Sequence, residues 1–105
     1  MRFKAWVFTL LAAHAAHLVA GEIVIDQKDK QFSVKSVKIK VGDVLVFHNS
    51  DPFAHNIFSL SDAKPFDLGS YPQGESRKVT FDKPGTVQVE CSIHPGMQLE
   101  VEVQK

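Results

Sequence analysis

From Glu22 onward the apolar positions repeat with a period of two, the signature of strands half buried on one face. Glu22-Ile23-Val24-Ile25 opens the first strand, and residues 26–30 read as a solvated polar crossing. Phe32 and Val34 begin a second extended piece. Val37, Ile39 and Val41 alternate with Lys38 and Lys40, giving one buried face and one lysine-rich face that resists edge pairing. Gly42-Asp43 signals a turn, and Val44-Leu45-Val46-Phe47 follows as a more fully buried strand. Asn49-Ser50-Asp51-Pro52 interrupts the pattern, which resumes over residues 55–60. Residues 61–74, punctuated by Pro65, Gly69, Pro72 and Gly74, form the longest irregular stretch, with room for one helical turn over 62–67. Val79 and Phe81 mark another strand before the turn Lys83-Pro84-Gly85. Val87, Val89 and Cys91 then share one side against Gln88 and Glu90, and Leu99, Val101 and Val103 alternate with Glu100, Glu102 and Gln104. About seven short strands with turn residues between them predict an all-β, antiparallel sandwich.

Residues 1–20 break this pattern. Arg2 and Lys4 precede an apolar run over 6–16, too short to span a bilayer and built like an export signal. Cleavage near Ala20 or Gly21 leaves residues 21–105 as one domain, 85 residues long, with no membrane attachment once the signal is gone. The alternative is an uncleaved anchor. A domain of that size buries roughly 60–65% of its extended surface and is marginal without a staple. Loss of Arg2 and Lys4 leaves 10 basic and 12 acidic residues with no basic run, a balance that argues against nucleic acid as a partner.

Cysteine usage changes the picture further. Cys91 is the only cysteine, so no disulfide can form within the chain. Export exposes a free thiol to oxidation, whereas a metal-bound thiolate is protected and also staples the fold. Cys91-Ser92-Ile93-His94-Pro95-Gly96-Met97 places a thiolate, an imidazole and a thioether on one short, tightly turned loop. Such soft donors point to copper, with two imidazoles and a thiolate in a plane and a weak axial Met. The second imidazole must come from elsewhere, and His55 is the best placed. His48, beside Phe47 in a buried strand, reads as a surface histidine. The structural alternatives are a buried core cysteine at 91, a core-filling methionine at 97 and an ordinary loop histidine at 55.

At these residues the chain resembles the cupredoxins, in particular the plastocyanin–amicyanin group of small blue copper proteins. The likeness runs through Val41-Gly42-Asp43, Val46-Phe47-His48-Asn49, His55-Asn56, the stretch Thr80 to Thr86 and the Cys91–Met97 loop, whose spacing matches the short amicyanin-like form. Where relatives often carry an aromatic residue two or four positions before the cysteine, this chain has Val89 and Val87. The resemblance implies a Greek-key cupredoxin fold and His55, Cys91, His94 and Met97 as ligands of one type 1 copper. It also implies a clasp between Asn56 and Ser92 that ties the two ligand segments together. The expected role is a monomeric, periplasmic one-electron carrier, not an enzyme, serving partners such as a c-type cytochrome or a dehydrogenase. A copper-carrying chaperone with no redox cycle would use the same four residues.

Overall fold

The protein is described by a computed structural model covering residues 21–105. The proposed signal segment lies outside the described residues. Among the described residues the nine elements are all strands: β1 (Glu22–Lys28), β2 (Gln31–Phe32), β3 (Ser36–Lys40), β4 (Val44–Asn49), β5 (His55–Ser59), β6 (Phe66–Tyr71), β7 (Ser76–Thr80), β8 (Gly85–Cys91) and β9 (Gln98–Gln104). They form two sheets, ordered β2-β1-β4-β7 and β3-β9-β8-β5-β6.

The alternation in the sequence becomes the core between the sheets. Ile25, Leu45, Phe47 and Val79 come from the first sheet, and Ile57, Val87, Val89, Leu99 and Val101 from the second. In the β8–β9 ladder Val87 lies opposite Val101 and Val89 opposite Leu99, and all four are buried. Fully burying each such side chain stabilises the fold by about 1.5–3 kcal/mol.

Three features depart from the sequence reading. First, two ladders are parallel, β1 with β4 and β3 with β9. Side-chain alternation is the same in either direction, so the pattern alone could not distinguish them. Second, residues 66–71 form a strand within the stretch expected to be irregular. Phe66 and Leu68 pack against the core and Tyr71 is buried, while the intervening Asp67, Gly69 and Ser70 resemble loop residues. A register shift between Asn56 and Phe58 accommodates this strand against β5, and the helical turn near 62–67 does not form. Third, β1 runs on through the polar crossing, and Gln27 is wholly buried. The Tyr71 hydroxyl, on the other sheet, donates a hydrogen bond to Gln27 Oε1, which compensates part of the cost of burying that amide.

One end of the sandwich gathers the turn after β1, the loop between β4 and β5, the turn after β6 and the loop between β8 and β9. Backbone bonds tie them together: Gly74 N–H donates to the Asn49 carbonyl, and Ser50 N–H to that of Gln27.

Candidate metal centre

Ile57 pairs with Cys91 in the antiparallel β5–β8 ladder. Ser92 N–H then donates to the Asn56 carbonyl at 3.0 Å. These two contacts bring the start of β5, where His55 sits, beside the end of β8. Beyond Cys91 the chain reverses through Pro95 and Gly96, and the turn is closed by Met97 N–H donating to the His94 carbonyl at 2.9 Å. That reversal folds His94 back over the strand end.

The outcome is a triangle of donor atoms. Cys91 Sγ lies 3.6 Å from His55 Nδ1 and 3.8 Å from His94 Nδ1, and the two Nδ1 atoms are 3.3 Å apart. A circle through three points with those separations has a radius of about 2.1 Å. Metal–imidazole bonds measure about 2.0–2.1 Å and metal–thiolate bonds about 2.3 Å. The triangle therefore has the size of a trigonal first-row metal plane. Met97, fully buried, contacts His55. Two imidazoles, a thiolate and a thioether match the chemistry of copper, and the residues present fit that ion.

The environment holds the rings in place. His55 is completely buried, and its Nε2 lies 2.7 Å from Asp51 Oδ2. Asp51 accepts two further bonds from the β1–β2 turn, from the N–H of Asp29 at 2.6 Å and of Lys30 at 3.1 Å. Burial disfavours ionisation of Asp51, but the bonds from His55, Lys30 and Asp29 outweigh it and hold the carboxyl below its ordinary pKa. His94 is half buried. Burial lowers its pKa, the neighbouring His55 and Lys30 add to that, and Asp51 acts the other way. The Phe53 ring packs against both imidazoles, with centroids 5.5 Å from His55 and 5.3 Å from His94. Phe53, packed on the His94 ring, and Ile93, its neighbour in sequence, are 36% and 51% exposed.

The structure thus brings together His55, Cys91, His94 and Met97. His48 stays apart, half buried with its Nδ1 2.8 Å from Ser76 Oγ. The clasp between the two ligand segments takes another form than expected. It is made by the Ser92 amide and the Asn56 carbonyl, while the Asn56 side chain donates to Asp67 Oδ1 at 2.9 Å. Asp67 is an ionised acceptor on the neighbouring strand, and bonds to charged acceptors are the stronger ones. Asp51 was missed in the sequence because Asn49-Ser50-Asp51-Pro52 carries every mark of a surface turn. An acidic residue four positions before a candidate ligand was the available signal, and only burial gives it meaning.

A two-sheet sandwich that closes one thiolate and two imidazoles at its end defines a cupredoxin. The sequence model of the copper binding proteins of the plastocyanin/azurin family matches residues 19–104, and the chain belongs to that family. Among relatives, it is 27% identical to the methylamine utilization protein MauL of Methylorubrum extorquens, over 89% of this chain and 82% of that one. It is 26% identical to amicyanin of Paracoccus denitrificans, over 86% and 71%. A solved structure of an amicyanin variant in its reduced Cu(I) form at pH 4 superposes with a TM-score of 0.73, at 25% identity over 86% of this chain and 89% of that one. A copper-containing nitrite reductase from Thermus scotoductus also superposes, with a TM-score of 0.74 at 27% identity, but the matched region is only 22% of that enzyme's chain. These likenesses place the protein in the amicyanin–plastocyanin group, with copper as its cofactor.

Proposed function

We propose that this chain is an exported, periplasmic, monomeric one-electron carrier, and that His55 Nδ1, Cys91 Sγ, His94 Nδ1 and Met97 would hold its copper. The donor triangle carries the reading. Its three donor atoms lie 3.3–3.8 Å apart, the spacing a single metal ion needs to bond all of them.

Copper, when bound, supplies the one-electron couple between Cu(II) and Cu(I). The chain's own contribution is geometric. The β5–β8 ladder and the turn at Pro95-Gly96 hold the three donor atoms 3.3–3.8 Å apart, a placement that would limit rearrangement between two oxidation states of a bound ion. His55, Cys91 and Met97 are buried, which keeps water from the thiolate. His94 reaches the surface among Phe53 and Ile93, a small apolar face suited to the brief, limited contacts of redox encounters. A dehydrogenase as donor and a c-type cytochrome as acceptor suit a one-electron carrier, and one relative is named for methylamine utilization.

The test is the visible spectrum of the Cu(II) protein together with a redox titration. An intense thiolate-to-copper band, reversible one-electron reduction and loss of the band in Cys91→Ser are expected. A band that survives Cys91→Ser overturns the ligand assignment. Reduction that is irreversible, with copper passing readily to a chelating acceptor, overturns the carrier role in favour of copper delivery.

A further inference from the structure

The hydrogen bond behind His55 does more than orient a ring. A carboxylate can only accept, so the 2.7 Å contact from His55 Nε2 to Asp51 Oδ2 places the ring proton on Nε2. That leaves the Nδ1 lone pair facing Cys91 and His94. Asp51 is itself immobilised. Its own N–H donates to Asn49 Oδ1 at 2.8 Å, and the Asn49 amide donates to the carbonyls of Phe53 and Tyr71. Its two oxygens accept the amides of Asp29 and Lys30. Those two residues have φ of 56° and 59°, a left-handed pair that non-glycine residues seldom adopt. In that conformation both turn amides point at one carboxylate, so the β1–β2 turn reaches the metal centre through Asp51.

Resting on the copper reading above, we propose that Asp51 is a positioning residue: it fixes His55 as an Nδ1 ligand and lowers the reduction potential of the site. The left-handed Asp29–Lys30 turn acts as its anchor. A buried negative charge one imidazole away from the ion strengthens the donor and favours the more highly charged metal state. Removal of such an outer partner typically weakens metal binding about 10–100-fold. Because the effect is one of charge, the loss must be larger for Cu(II) than for Cu(I). Each tenfold of that difference corresponds to a rise of about 59 mV in potential.

The experiment compares the copper-loaded wild type with Asp51→Asn at one fixed pH, measuring Cu(II) and Cu(I) affinity, potential and visible spectrum. Asparagine keeps the size of the side chain but not its charge. Expected is a blue variant with Cu(II) affinity reduced about 10–100-fold, a smaller loss for Cu(I) and a raised potential. Equal losses for the two ions, with the potential unmoved, overturn the proposal while leaving the copper site intact. A wild type that binds copper without a blue band overturns both. Should Asp51→Asn fail to fold, nitrogen-15 NMR of the metal-free wild type decides, since no metal then dictates the tautomer: a proton on His55 Nε2 alone supports the proposal, and one on Nδ1 alone overturns it.

Discussion

His55 Nδ1 and His94 Nδ1 lie 3.3 Å apart although 39 residues separate them in the chain. Two imidazoles that close, each offering the same ring nitrogen, gain little from each other. They are placed by the strand register and the Pro95-Gly96 turn, and the cost of bringing them together is recovered when an ion binds.

Met97 separates a packing role from a binding role. Met97→Leu preserves volume in a fully buried position, so it should change stability of the metal-free protein by less than about 1.5 kcal/mol in denaturant unfolding. With copper bound, loss of the thioether removes a neutral donor from the higher charge state, and the potential should rise. An unchanged potential would leave Met97 as a core residue alone.

Gly85 opens β8 at φ 141°, and a Cβ built there would stand 2.9 Å from the Cβ of Ala63. Gly85→Ala should cost about 1–3 kcal/mol through this overlap and the unfavourable backbone angle. Adding Ala63→Gly removes the overlap but not the backbone cost, so the unfolding midpoint should recover only part of the way. Full recovery would show that backbone conformation contributes nothing.

The left-handed turn gives the opposite sign. Lys30 sits at φ 59°, where a non-glycine residue is disfavoured by roughly 1–2 kcal/mol. Lys30→Gly relieves that and adds about 0.4–1 kcal/mol of unfolded-chain entropy. The bond to Asp51 is made by the backbone N–H and survives. The metal-free protein should be stabilised by up to about 1 kcal/mol, read from denaturant unfolding. Lys30→Val, β-branched at the same angle, should destabilise it.

Acid should weaken the metal-free protein. His94 titrates below its ordinary value in the fold, through burial first and then its neighbours His55 and Lys30. The unfolded imidazole takes its proton near pH 6.5. Below that point the unfolded state holds more protons, so stability falls as pH drops toward the folded pKa. Asp51, also depressed, adds a second loss once pH falls below the ordinary carboxylate range, near about 3.9. Urea midpoints of the metal-free protein at about pH 7.5 and pH 5.5 bracket the histidine contribution, and His94→Asn should flatten it. A midpoint that rises on acidification would contradict the sign.

Read in order, the residues already declared a β-sandwich. Val87, Val89, Cys91 and Leu99, Val101, Val103 alternate so regularly that strand, facing and core membership follow from burial of one side. The Cys91–Met97 loop was equally legible, because its three donors are local and a Pro-Gly turn brings them round within seven residues. Local geometry is written in local sequence.

Pairing is not. Whether β1 runs parallel or antiparallel to β4 leaves no trace in alternation, and β6 was hidden because Asp67, Gly69 and Ser70 resemble loop residues until Phe66, Leu68 and Tyr71 are seen against the core. Asp51 had the look of a solvated turn residue. Only the folded chain buries it between the His55 ring and two turn amides, since contacts across 21 or 22 residues depend on which strands become neighbours. The chain by itself named the candidate donors and the kind of scaffold. Tertiary structure decided their separations and the charge placed behind them, because distance and burial are properties of packed strands and not of residue order.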